Sequence, residues 1–227
     1  MELAVVQLGV VPYAEALELQ LRLRDLRQGD EIGDTLLLLE HPPVYTRGRR
    51  TEPHDLPMGA DWYRARGIEI HDADRGGRVT YHGPGQLVGY PIMRITDVPA
   101  YVRTMEAAIV AALADEGIDA EVREGLTGIW AGDAKIGSIG VHVNRGVTTH
   151  GFAVNVDNDL QPFEWVVPCG LDGVRMTSIA HETSRTDGIG CFRKRMAYRF
   201  AQAYGMRQRI TSLERLLAHT APAVVAA

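Results

Sequence analysis

Residues 134–143, AKIGSIGVHV, and 147–156, VTTHGFAVNV, carry the pattern that decides how this chain folds. In both runs apolar residues alternate with small or polar ones, the period of a half-buried strand. In the second run, alternation puts His150, Phe152, Val154 and Val156 on one face and Thr149, Gly151, Ala153 and Asn155 on the other. Small residues beside polar ones leave room for a bound chain, although a plain core strand with one satisfied histidine fits the pattern equally well. In the first run, Lys135 stands among small and apolar residues. Burial disfavours an ammonium unless a partner is near. A lysine so held can act as a base or stabilise a neighbouring thiolate. The alternative is an edge-strand lysine that reaches for water.

Outward from these runs, strands and helices mix without regular alternation. LAVVQL (3–8) reads as a strand, and residues 13–27 as a helix with Ala16, Leu19, Leu23 and Leu26 at helical spacing. TLLLL (35–39) is continuously apolar, as in a strand buried on both faces. The Pro- and Arg-rich stretch 40–59 reads as loop. IEIHDAD (68–74), RVTYH (78–82) and QLVGYPI (86–92) read as strands broken by glycines. Residues 98–114 read as a helix capped by Thr96 or Asp97, with Met105, Ile109, Ala112 and Leu113 as its apolar face. DAEVRE (119–124) and TGIWAG (127–132) return to strand, 191–204 and 213–219 read as helices, and 220–227 as a frayed tail. The expected fold is one α+β domain over residues 1–227 with a mixed or antiparallel sheet.

With 227 residues and 45% hydrophobic content the chain can bury a substantial core. A formal charge of −5 lacks the basic excess of a nucleic-acid footprint. Two cysteines, Cys169 and Cys191, fit a reducing compartment rather than a disulfide framework. The N-terminus shows no basic leader with an apolar run, and the longest apolar runs, such as Leu36 to Leu39, are too short to span a bilayer. A cytoplasmic location without membrane attachment is expected.

Two further segments carry chemistry. Arg75-Gly76-Gly77-Arg78-Val79-Thr80-Tyr81-His82 surrounds a glycine pair with guanidinium, hydroxyl and imidazole groups. It could present backbone N–H groups and Arg75 to a carbonyl, carboxylate or phosphate, or be a hairpin with solvated arginines. Its spacing matches neither a Walker nor a dinucleotide loop. In Val166-Val167-Pro168-Cys169-Gly170-Leu171, proline and glycine place Cys169 on a turn, where a thiol can be accessible. Cys191 has no such setting and reads as a small core residue. The eight histidines form no HExxH pair, so no metal is expected, and no G-x-S-x-G elbow signals a serine triad. Arg47, Arg49 and Arg50 read as a solvated loop or as a surface for an acidic protein partner.

Taken together, RGGRVTYHGPGQLVGYP, AKIGSIGVHV, THGFAVNV and PCGL resemble the lipoyl(octanoyl) transferase family, with LLLLEHPPVYTRGRR upstream and MTSIAHE downstream. The resemblance runs from Leu36 to about Glu182. It implies the lipoate and biotin protein ligase fold. It also implies transfer of octanoate from octanoyl-acyl carrier protein to a lysine of a lipoyl domain, in 2-oxoacid dehydrogenase complexes or the glycine cleavage H protein, without a cofactor. The family's acyl-thioester cysteine falls on Cys169 and its lysine on Lys135. Its acyl-binding segments fall on Arg75, Gly76, Gly77, Arg78, Val79, Thr80, Tyr81 and His82, on Ser138, Ile139 and Gly140, and on Gly151, Phe152 and Ala153. His150 is an accessory candidate. Arg78 and Tyr81 lie where the family varies, and little matches after Glu182. The rivals are an ATP-dependent lipoate or biotin ligase on the same fold, which would not need Cys169, and a non-enzymatic acyl-binding or thiol-sensing protein.

Overall fold

A computed structural model describes residues 1–167, 174–184, 188–218 and 220. Its centre is β2 (Thr35–Glu40), the TLLLL run. Leu36 and Leu38 enter one apolar cluster, and Leu37 and Leu39 enter another on the opposite face. Five consecutive buried residues, Thr35 to Leu39, place a strand inside a sheet covered on both sides, as β2 is. On one edge it pairs in parallel with β1 (Glu2–Val10). On the other it pairs antiparallel with β6 (Gln86–Ile92). The sheet continues through β10 (Val147–Asn155), β9 (Ala134–Asn144), β8 (Leu126–Ala131) and β7 (Ala120–Arg123). Beyond β1 lies β12 (Arg207–Thr211), and β11 (Arg175–Met176) pairs in parallel with β9.

Helix α1 (Tyr13–Gln28) covers one face, where Ala16 and Leu23 pack on Leu37, Leu39 and Val88. Helices α3 (Val98–Ala114) and α5 (Gly188–Ala203) cover the other. There Phe200 stacks on Phe152 with ring centroids 6.0 Å apart. Truncating a buried phenylalanine of this kind costs about 3–5 kcal/mol. Of the two candidate caps of α3, Asp97 is used: its carboxylate accepts from the Ala100 N–H at 2.9 Å.

The stretch 40–59, read as loop, contains a strand, β3 (Val44–Arg47). It is the middle of a small sheet with β4 (Glu69–Asp72) in parallel and β5 (Val79–His82) antiparallel. Flanking prolines masked it, and its pairing is entirely non-local. Helix α2 (Ala60–Arg64) and the turn 161–165 close a separate aromatic cluster beneath this sheet, including Tyr45, Tyr63, Tyr81 and Phe163. Helix α4 (Ile179–Thr183) and the edge strand β12 were not expected either. Strand β12 is short and bears Arg207 and Arg209, both paired with Glu2, which blunts the edge. Helix α5 begins at Gly188, earlier than expected, and the last helix, α6 (Leu213–Leu217), ends before His219. Residues 221–227 of the expected tail lie outside the described residues. Among the described residues, no helix is long and apolar enough to cross a membrane.

Candidate active site

Lys135 lies near the start of β9, between Trp130 of β8 and Met176 of β11. It is 2% exposed. Its neighbour across the ladder explains how it fits. Gly128 on β8 has φ +129°, and a Cβ there would collide with Lys135 Cε and sit 2.9 Å from its Nζ. The absent side chain is the space the lysine stem occupies.

Further along β9 the small residue Gly140 lies beneath the glycine pair, and Ser138 lines the cavity beside it. The Gly76 N–H donates to the Val141 carbonyl at 3.1 Å, so the 75–78 segment sits directly on the strand. A side chain at Gly140 would come within 3.0 Å of the Gly76 oxygen and 3.1 Å of Arg75 Cδ. A second loop locks the first. The N–H groups of Gly48, Arg49 and Arg50 donate to the carbonyls of Arg78, Arg75 and Gly77 at 3.0–3.3 Å. Arg75, 8% exposed, turns its guanidinium into this mesh. It donates to the Thr46 carbonyl and hydroxyl, both at 2.7 Å, and to the Arg78 carbonyl at 2.9 Å. It therefore builds the wall through the fork geometry that only arginine offers.

Between the meshed loops and the β9–β10 surface is a cavity of about 500 Å³. Its lining includes Lys135, the segment Arg75 to Thr80, His82, Ser138 to Gly140, and His150 to Ala153. Sequence reasoning named all of these. Tyr81 is the exception: it turns to the other face of β5 and packs on Tyr45 and Phe163, with centroids 5.5 and 5.4 Å away. Strand alternation gives the reason, since Thr80 and His82 take the cavity side. Cys169 lies outside the described residues. Its described flanks are anchored. The Val167 N–H donates to the Asp55 carbonyl at 3.0 Å, and Arg175 and Met176 pair with Ala134 and Lys135. Cys191, read as a core residue, is exposed on α5.

Tyr13 and Tyr90 also line the cavity, and His41 stands behind them. None of the three carries a local signal: Tyr13 opens a helix, Tyr90 sits in an apolar strand and His41 lies at the start of the stretch read as loop. His41 Nδ1 lies 2.6 Å from the Val11 carbonyl, so it carries the proton, and Nε2 accepts from the Tyr90 hydroxyl at 2.7 Å. Burial pushes His41 down to about 4 and His82 well below the usual histidine range. Both imidazoles are neutral at physiological pH. Burial also pushes the Tyr13 phenol up to about 12.

A buried polar chain ties the cavity to the lysine. His82 Nδ1 meets Gln86 Oε1 at 2.7 Å, and the Gln86 amide donates to Asn155 Oδ1 at 2.9 Å. The Asn155 amide donates to the Thr177 carbonyl at 2.9 Å, and the Thr177 N–H donates to the Lys135 carbonyl at 3.0 Å. Such networks, once satisfied, fix a unique geometry.

His150 breaks the alternation expected of β10. Its φ is +57°, and its N–H donates to Gln20 Oε1 of α1 at 2.7 Å. Its ring lies against Tyr90 rather than beside Phe152. Nε2 is 2.6 Å from Asp74 Oδ1, and this hydrogen bond holds the Asp74 carboxyl below its usual range. His142 stands 3.4 Å from the same carboxylate and 3.0 Å from an Arg49 nitrogen.

Comparison with known proteins places this arrangement. Residues 12–201 match the lipoyl protein ligase A/B catalytic domain. An octanoyltransferase of Solibacter usitatus is 52% identical over 169 residues, covering 73% of this chain and 77% of that one. One from Chloroflexus aurantiacus is 41% identical over 218 residues, covering 93% and 98%. A structure from the archaeal lipoylation system of Thermoplasma acidophilum, a bipartite lipoate protein ligase and its E2 lipoyl domain, superposes with a TM-score of 0.71 at 18% identity, over 96% of this chain and 91% of that one. That likeness is one of fold, and it matches the α+β fold expected from the sequence. With relatives this similar over most of its length, the chain belongs to the lipoyl protein ligase A/B catalytic family and, within it, to the octanoyltransferases.

Proposed function

We propose that this enzyme takes an octanoyl group from octanoyl-acyl carrier protein onto Cys169 and passes it to a lysine of a lipoyl domain. The Cys169 thiolate attacks the carrier thioester carbonyl. A tetrahedral oxyanion forms, the carrier thiolate leaves, and it takes a proton. The acceptor amine then attacks the acyl-enzyme, the amide forms, and the Cys169 thiolate departs as the amine loses its proton. Lys135 favours the thiolate as an ammonium and gives and receives the proton in each half. Exchange between thioesters is nearly balanced and amide formation runs downhill, so no nucleotide enters.

The observation that carries this reading is the setting of Lys135. It is buried in the wall of a cavity large enough for an eight-carbon chain. It also pairs with Met176, in the described strand that follows Cys169 in the chain. Seven residues of chain link Met176 to Cys169, so the two lie no more than roughly 23–25 Å apart, a separation that permits the thiol and the amine to meet. The neutral His82 imidazole and the tyrosines of the wall suit an acyl chain with one polar end.

The test is intact-protein mass spectrometry of enzyme mixed with octanoyl-acyl carrier protein and no acceptor. An octanoyl adduct is expected on Cys169, with none on Cys169→Ala. Full turnover by Cys169→Ala would falsify the covalent scheme. Activity with free octanoate that appears only when ATP is added would favour a ligase.

A further inference from the structure

The polar chain beside the cavity also fixes where His82 carries its proton. The carbonyls of Thr177 and Tyr81 can only accept. The first takes the Asn155 amide N–H at 2.9 Å, which turns Asn155 Oδ1 toward Gln86. The second takes the Gln86 amide N–H at 3.2 Å, and the same nitrogen donates to Asn155 Oδ1 at 2.9 Å. Two backbone groups thus orient both amides, and Gln86 Oε1 is left facing His82 Nδ1 at 2.7 Å. An amide oxygen has no hydrogen to give, so Nδ1 bears the proton and Nε2 the lone pair. His41 has the same tautomer, but there the Tyr90 hydroxyl occupies Nε2. His82 belongs to the cavity wall, and among the described residues no group bonds to its Nε2.

This lone pair stands near the lysine. Gln86 pairs with Asn155, and the neighbouring Val154 pairs with Gly137 of β9. Gln86 and the Lys135 end of β9 are therefore two strand spacings apart, about 10 Å. His82 and Lys135 both line the cavity.

A largely buried lone pair needs a hydrogen-bond donor. The acyl thioester supplies none, since its oxygen and sulfur only accept and its chain is apolar. The attacking amine does supply one. A neutral primary amine has two N–H groups and one lone pair. When that lone pair aims at the carbonyl carbon, the N–H groups face away from it.

We infer that His82 Nε2 accepts a hydrogen bond from the attacking amine of the acyl acceptor and so aims its lone pair at the acyl carbonyl. This rests on the acyl-transfer reading above. Lys135 is neutral once the departing carrier thiolate has taken its proton, and it removes one proton from the amine. The C–N bond forms, the C–S bond to Cys169 breaks, and the second N–H stays on the amide. His82 ends as it began, unprotonated. Its setting suits that part, because burial holds the imidazole well below the usual histidine range and keeps it an acceptor. His82 is then catalytic for the second half-reaction alone.

The test separates the two halves. Rapid-quench mass spectrometry follows loading of the enzyme by octanoyl-acyl carrier protein, then transfer from the loaded enzyme to a lipoyl domain. His82→Phe keeps a ring and removes the lone pair. His82→Gln offers an amide oxygen that can reach the Nε2 position. His82→Phe should load within about twofold of the parent and transfer about tenfold more slowly, the loss of one neutral hydrogen bond. His82→Gln should recover part of that loss. Equal slowing of both steps, slowing of loading alone, or unchanged transfer would overturn the inference. A parent that does not load would remove the acyl-transfer reading with it. One readout needs no variant to fold. Nitrogen NMR of the parent imidazoles should show His82 protonated on Nδ1 and bare on Nε2, and the opposite tautomer would refute the inference.

Discussion

Gly128→Ala separates the position of Lys135 from the stability of the fold. At φ +129° an alanine is strained by about 1–3 kcal/mol. Its methyl would also overlap Lys135 Cε, lie 2.9 Å from Nζ and sit 2.6 Å from the Gly137 carbonyl. The carbonyl belongs to a paired strand and cannot retreat, so the lysine end must move by about an ångström. A misplacement of that size can cost about 100-fold in rate. Gly117→Ala is the matched control. Its φ is +83°, its Cβ would meet nothing within 4 Å, and it lies far from the cavity in the turn after α3. Both variants should lose stability, by about 2–4 °C of melting temperature per kcal/mol. Only Gly128→Ala should lose octanoyl transfer, measured as kcat/KM with saturating acceptor. Full activity in a folded Gly128→Ala protein, or equal loss in both variants, would refute the reasoning.

Other outcomes follow from the same geometry. Lys135→Ala should fold, since alanine removes a buried cation without adding bulk, and should slow Cys169 acylation by about 100- to 10,000-fold in rapid-quench experiments. Arg75→Lys keeps the charge but cannot bridge Thr46 and Arg78 together; it should cost about 2 kcal/mol in urea unfolding and weaken octanoate binding. His41 supplies a pH dependence. Its folded value of about 4 lies below the ordinary 6.5, so the unfolded chain binds the extra proton. Stability is full above pH 6.5 and falls as pH drops toward 4, by up to about 3 kcal/mol. The slope of unfolding free energy over that window should shrink in His41→Gln, and an unchanged slope would assign it to other groups.

How much of this was legible depended on which contacts were local. The TLLLL run announced a strand buried on both faces because four consecutive leucines allow little else. Asp97 was readable as a cap, and Lys135 stood out as a charge in a small-residue strand. The small residues of β9 and β10 marked a close approach, but not by what: the docking of Gly76 on Val141 joins segments 65 residues apart. Strand β3 was hidden for the same reason, since its partners come from positions well downstream. His150 defeated the period-two rule because Gln20 and Asp74, both distant in sequence, compensate its backbone strain. Tyr13, Tyr90 and His41 gave no local signal, as their hydrogen bonds exist only after folding.

The central claim is that the Lys135 ammonium holds the Cys169 sulfur as a thiolate, and alkylation tests it most directly. In a Cys191→Ser background, the rate of Cys169 alkylation is followed against pH with Lys135 intact and with Lys135→Ala. The intact protein should titrate well below the ordinary thiol value of about 8.5, and the alanine variant should return toward it. Superimposable profiles would contradict the account.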